Sequence, residues 1–266
     1  MPQLDVILAA KRRSLVERKT KTPIEAVRAL ASMQKRPQPV LSTVTDTGMI
    51  MLIGQIKYKL PQTSPLGDTY DPVAGALRYV QAGVDAIALF TDEDMYQRGL
   101  DDLVLVSRAV NLPVISQDYI LDEYQVVEAR AAGASAVILH SAVVEPATLR
   151  ALVSATHRNR MTAIVQITNQ DELNYALSIS PAVIGIRSRD AATQQLDIDN
   201  ARRLRGQIPS HIRVMFTDGL RSIDEAAAVA GLGLHAAIVR ETVIETDSDL
   251  RRVNALFNRR HTEHLS

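Results

Sequence analysis

The 266-residue sequence has no cysteine and no tryptophan, and its only other aromatic residues are three phenylalanines and seven tyrosines. Without cysteine there are no disulfides, no thiolate metal sites and no thiol nucleophile, which fits a reducing compartment. With few aromatic rings, the core must be packed by aliphatic side chains. Charge of one sign is also missing, because thirty Lys and Arg balance thirty Asp and Glu. No global field therefore draws the chain to nucleic acid or to an anionic membrane. No apolar run approaches the roughly 18 residues that span a bilayer. At the Met1 end, MPQLDVILAAKRRSLVERK, charge follows the apolar stretch instead of preceding it, unlike a secretory signal. The expectation is a cytoplasmic protein with no nucleic-acid or membrane partner.

What is present is alternation. From about Gly48, short β-branched or aliphatic runs alternate with longer segments of helical period, the pattern of βαβ units and a parallel sheet. The runs are MIMLIGQIK at Met49, VDAIALFT at Val84, LPVISQDY at Leu112, ASAVILHS at Ala134, MTAIVQIT at Met161, AVIGIRSR at Ala182, IRVMFTDG at Ile212 and LHAAIVRE at Leu234, eight in all. The segments between them, such as DPVAGALRYVQAG from Asp71 and YQVVEARAAG from Tyr124, are amphipathic and several end in glycine, as helix C-termini do. Eight parallel strands that are apolar on both faces need helices outside and a filled interior, so closure into a barrel is favoured over an open doubly wound sheet. The expected architecture is one (β/α)8 TIM barrel domain over residues 1–266. Residues 1–48 form an N-terminal helical cap with helices at LDVILAAKRRSLVERK and TPIEAVRALASMQKR, and residues 49–250 form the barrel core.

Five segments, in order, carry a family resemblance: IGQIKYKLP at Ile53, ALFTDEDMYQRGLDDL at Ala88, QDYILDEYQVVEARAAGASAVIL at Gln117, GIRSRDA at Gly185 and FTDGLRSIDEAAAVAGLG at Phe216. Together they resemble indole-3-glycerol phosphate synthase, a tryptophan-pathway enzyme. The resemblance implies a barrel that cyclises, decarboxylates and dehydrates an N-aryl aminodeoxyribulose phosphate without metal or organic cofactor. That chemistry needs a proton donor at the substrate carbonyl, a carboxylate to accept or stabilise positive charge, and a phosphate anchor at the C-terminal rim.

Position by position, the resemblance implies a depleted site. The family's strand 1 carries a glutamate and, two residues on, a lysine; here these are Gln55 and Lys57. The general-acid lysine of strand 3 is Gln117, followed by Asp118 and Tyr119. An amide can orient a carbonyl but has no proton to give up near neutral pH. The second glutamate, on strand 5, is Gln166. After strand 6, Arg187, Ser188, Arg189 and Asp190 stand where the family has an asparagine and, one residue later, an arginine before aspartate. Strand 7 has Thr217, Asp218 and Gly219 in place of glutamate, serine and glycine. At the phosphate rim Arg240 and Glu241 replace a glycine and a serine, and Arg98 and Gly99 replace a glycine and serine in the strand 2 loop.

Lys57, Gln55, Gln117, Gln166, Arg187 and Asp218 are thus the catalytic positions, mostly substituted. Arg189, Gly219, Arg240 and Glu241 are the phosphate positions, where Arg240 is expected to fill space and Glu241 to repel an anion. Gln55, Lys57, Gln117, Gln166, Arg187, Asp218 and Arg240 are expected to gather at one end of the barrel, because each ends a parallel strand. Of six histidines, only His140 is expected to face the mouth, more as a hydrogen-bonded packing residue than as a catalyst. Ser116, Ser141 and Ser188 lack a base and acid at recognisable spacing, and neither a GxGxxG nor a phosphate-loop motif is present. The reading is a catalytically impaired or inactive paralogue that binds a small anionic ligand at the rim or meets an unidentified protein partner. The alternatives are an active synthase, or an enzyme with a re-formed cleft.

Overall fold

A computed structural model describes residues 4–41, 49–56, 70–92, 99–190 and 193–257. Lys57, Arg98 and the tail histidines His261 and His264 lie outside the described residues. Eight strands form one closed parallel barrel in chain order: β1 Met51–Ile56, β2 Ala86–Phe90, β3 Val114–Gln117, β4 Ala136–His140, β5 Thr162–Ile167, β6 Val183–Ile186, β7 Arg213–Leu220 and β8 Ala236–Val239. Each falls within one of the eight apolar runs except β7, which extends one residue past its run to Leu220.

Two helices, α1 (Leu4–Lys21) and α2 (Ile24–Met33), precede the barrel. Its outer layer contains α3 (Pro72–Gln81), α4 (Leu100–Ala109), α5 (Glu123–Ala131), α6 (Pro146–Arg158), α7 (Gln170–Ser178), α8 (Ile198–Arg205), α9 (Ile223–Ala230) and α10 (Asp247–Leu256). Most start on a side-chain cap: Asp71, Asp122, Asn169, Asp197, Ser222 and Thr246 each accept a backbone N–H of the first helical turn. Gly83, Gly133 and Gly233, with φ of 72°, 98° and 66°, turn the chain back toward the next strand. No helix among the described residues is long and apolar enough to cross a membrane.

Strand residues alternate between two cores. One face packs against the helices, with Leu52, Ile87, Leu89, Val137, Val165 and Val214 fully buried there. The other fills the barrel with Ile53, Ala88, Ile115, Ile138, Ile164, Met215 and Ile238. The N-terminal segment ties the two ends of the barrel together. On the outside, Leu15, Val27 and Ala31 pack with Tyr124 and Val127 of α5, and Tyr124 donates its hydroxyl to the carbonyls of Arg18 and Thr22 at 3.2 and 2.9 Å. The Arg130 guanidinium then holds the carbonyls of Gln34 and Lys35 at 3.1 and 2.5 Å. From there the chain turns under the strand N-termini, where Val40 and Leu41 enter the interior core, each 1% exposed.

Candidate functional site

The alternation that fills the barrel also builds its mouth. Two residues beyond Ile53, Ile115, Ile138, Ile164, Met215 and Ile238 come Gln55, Gln117, His140, Gln166, Thr217 and Arg240, the next inward positions at the C-terminal ends of their strands. The three glutamines are nearly buried, at 8%, 7% and 5% exposure. Gln55 Nε2 donates to Gln117 Oε1 at 3.1 Å, joining β1 to β3 across the β2 end. Gln166 Nε2 lies 2.8 Å from His140 Nδ1, its register partner on β4. An amide nitrogen can only donate, so Nδ1 accepts and the imidazole proton sits on Nε2. Burial, with Arg187 nearby, pushes His140 down to about 3, so the ring is neutral at physiological pH. Tyr119 tilts against it at 4.9 Å between ring centres.

The β6–β8 side is charged. Arg187 Nε reaches Asp218 Oδ1 at 3.3 Å, and the Ser188 N–H donates to Asp218 Oδ2 at 2.6 Å. Burial nevertheless holds the Asp218 carboxyl above its ordinary value, against the pull of Arg187, that N–H and Arg189. Arg189 is not presented to a ligand: its side chain is 3% exposed, and Nη1 and Nη2 bond the two oxygens of Glu225 at 2.8 and 2.7 Å. Glu225 Oε2 also accepts the Arg221 N–H at 2.8 Å. The Glu225 carboxylate therefore takes up one backbone donor just before α9, at a helix entrance of the kind that attracts anions.

Glu241 also departs from expectation, since it lies outside against α3, with Oε1 accepting from Arg78 Nε at 2.6 Å, instead of repelling anions in the mouth. Arg240 does fill space: a side chain at Gly219 would meet its Cγ at 3.3 Å and would collide with Gln55 Oε1. Its own guanidinium makes no hydrogen bond among the described residues, and its Nε is buried without a partner. Loss of water, with Arg221 and Arg189 nearby, holds its pKa below the ordinary arginine value.

The sequence reading missed Lys11. This α1 lysine is 2% exposed and places Nζ 2.5 Å from Asp118 Oδ1 and 3.0 Å from Asp92 Oδ1, just past the ends of β3 and β2. Loss of water lowers its pKa, but the two carboxylates outweigh that and hold it above the ordinary lysine value. A signal was present: Lys11 shares the buried stripe of α1 with Ile7, Leu8 and Leu15, where a lysine needs a partner. Ser116, Ser141 and Ser188 are occupied structurally, by Thr91 at 2.8 Å, by the Gln166 carbonyl at 2.7 Å and by the Asp197 carbonyl at 2.8 Å. Thr217 donates its hydroxyl to the Ile186 carbonyl at 3.1 Å. No group of three or more metal-binding side chains occurs among the described residues.

This ordered set of strand-end positions coincides with a family match. The family described as "Indole-3-glycerol phosphate synthase" matches residues 4–256. The chain belongs to the indole-3-glycerol phosphate synthase family. Curated indole-3-glycerol phosphate synthases from Mycobacteroides abscessus and Leifsonia xyli subsp. xyli are 32% and 33% identical over 93% and 86% of this chain, covering 90% and 88% of their own lengths. That of Roseiflexus sp. is 31% identical over 95% of this chain and 97% of its own. Among solved structures, the fold is shared with 3-hexulose-6-phosphate synthase from Salmonella typhimurium, at TM-score 0.63 and 14% identity over 80% of this chain and 100% of that one. It is also shared with N-acetylmannosamine-6-phosphate 2-epimerase from Clostridium perfringens, at 0.59 and 18%, over 77% and 90%. Membership places the chain in a family of tryptophan biosynthesis, within which Gln55, Gln117 and Gln166 stand at the positions the resemblance gives to the acid and the carboxylates.

Proposed function

We propose that this chain is a ligand-binding, catalytically impaired member of its family, a cytoplasmic pseudoenzyme with a binding or regulatory role. The observation that carries this reading is the Gln55–Gln117 hydrogen bond at 3.1 Å. Where ring closure needs an acid and a carboxylate, two amides are joined by one hydrogen bond and neither can transfer a proton near neutral pH. Gln166, the third position, is engaged with a neutral His140. Removing one positioned acid or base typically slows a reaction by about 10²–10⁴, and losses within one cooperating set do not simply multiply. The absence of cysteine supports a reducing compartment.

The purified chain is expected to show no detectable ring closure of the family's N-aryl aminodeoxyribulose phosphate and no rescue of a tryptophan auxotroph lacking the synthase. Rescue at ordinary expression would establish the alternative, an active synthase with displaced catalysts. A second reading, an enzyme with a re-formed cleft for another small anionic substrate, is favoured by one pair: Asp218, with its pKa raised, beside Arg187. Turnover of such a substrate, abolished in Asp218→Asn, is the result that would support it.

A further inference from the structure

At the β6–β8 end of the mouth, each arginine but one has an acceptor among the described residues. Arg187 has Asp218, Arg189 has Glu225, and Arg221 donates Nη1 to the Gln194 carbonyl at 3.1 Å. Arg78, outside, has taken Glu241. Arg240 has none among the described residues, and its buried Nε–H is an unfilled donor. A cation partly withdrawn from water without an acceptor is costly, and burying an unmade donor adds to that cost.

From these contacts we infer that the Arg240 guanidinium is the seat for a carboxylate group of the ligand, gripped as a planar two-oxygen acceptor and not as a phosphate. This rests on the preceding reading that the mouth binds a small anionic ligand, and it names the anion. A guanidinium edge offers two parallel N–H donors, which match the two oxygens of a carboxylate. A phosphate in a barrel rim is ordinarily held by several donors at once, among them backbone N–H groups at a helix N-terminus. Here three of the rim's backbone donors are already taken. Glu225 holds the Arg221 N–H at 2.8 Å, Ser222 Oγ holds the Glu225 N–H at 3.2 Å, and the Arg240 N–H is spent on the Leu220 carbonyl at 2.9 Å. The Arg240 stem also lies against Gly219, covering backbone that a phosphate would approach. The Arg240 fork itself has no acceptor among the described residues, and its two parallel donors are sufficient for a carboxylate.

The test is an NMR titration of the full-length protein with benzoate and with inorganic phosphate, following the arginine Nε–H signals and the backbone amides of Gln117 and Tyr119. Arg240→Lys identifies the Arg240 signal by its loss. Benzoate is expected to move that signal saturably and to bind about tenfold more tightly than phosphate, the difference made by one charge-assisted hydrogen bond. Arg240→Lys keeps the charge but loses the fork, and should weaken benzoate by about tenfold; Arg251→Gln, on exposed α10 surface, should leave it unchanged. Tighter binding of phosphate, or unchanged benzoate binding in Arg240→Lys, overturns the assignment. If Gln117 and Tyr119 respond to benzoate while Arg240 is silent, the mouth binds anions and only this assignment fails. If no mouth signal responds to either probe, both fail.

Discussion

At the scale of single residues, the most consequential contact is Lys11 with Asp118 and Asp92, because it places a buried ion cluster between the N-terminal helix and the mouth. Removing one partner from such a cluster leaves charge buried without compensation and typically costs about 3–5 kcal/mol. Lys11→Met is therefore expected to lower stability by that order in chemical denaturation, with much of the loss recovered when Asp118→Asn is added. The contribution also has a pH signature. Lys11 is held above its ordinary value in the folded state, so its stabilisation is fully present below the unfolded lysine value of about 10.4 and is lost as pH rises through the higher folded value. The gap between wild type and Lys11→Met should stay constant near neutrality and close in strong alkali; a gap that widens there would rule out Lys11 as the charged partner.

Residue-level legibility was uneven, for a definable reason. Gln55, Gln117, Gln166 and Arg240 could be placed because strand parity is local and carries a side chain to the mouth wherever the strand ends. Lys11–Asp118 joins residues 107 apart in sequence, and Arg78–Glu241 joins residues 163 apart. Such pairings depend on how elements dock, which no local pattern records. Arg189 lies between these cases, because the Ser222-x-x-Glu225 spacing is that of a helix N-terminal capping box, and Glu225 instead reaches Arg189 and the Arg221 N–H.

At the scale of elements, all eight strands could be read because β-branched runs bounded by caps and glycines leave few alternatives. What could not be read is how closely some elements approach. Gly54 of β1 lies against the ring of Tyr79 on α3, where even an added Cβ would collide with ring carbons. Its absence lets Tyr79 lie flat and donate its hydroxyl to the Gln55 carbonyl at 2.9 Å, fixing the strand end that carries Gln55. Gly54→Ala should displace the Tyr79 ring and cost about 1–3 kcal/mol, the usual range for overpacking a dense core. It should also weaken whatever binds at the mouth, because Gln55 moves with its strand. Equal thermal midpoints for Gly54→Ala and wild type would show that the ring relaxes without loss.

At the scale of the whole molecule, the barrel divides its labour along its axis. The strand C-termini carry amides, a neutral histidine and a guanidinium with no acceptor among the described residues, whereas the N-termini are sealed by the chain itself through Val40 and Leu41. Leu41 holds its place at a φ of 64°, a left-handed conformation that a leucine adopts only when its surroundings favour it. The compensation is burial: at 1% exposure its side chain closes the interior cluster from below. Leu41→Ala keeps the backbone burden and removes the packing, so it should cost about 2–5 kcal/mol, as for other large-to-small core changes. Gln166→Ala, at the opposite end, removes one partner of His140 beside the opening and should cost about 1–3 kcal/mol at most. The two substitutions should separate in function more sharply than in stability. In denaturation and benzoate titration run side by side, Leu41→Ala should lose stability and keep the ligand affinity of the folded protein, while Gln166→Ala should alter affinity with a smaller stability change. A floor substitution that changed affinity as much as the rim substitution would mean that the two ends are coupled through the interior layer of Ile53, Ile138 and Ile164.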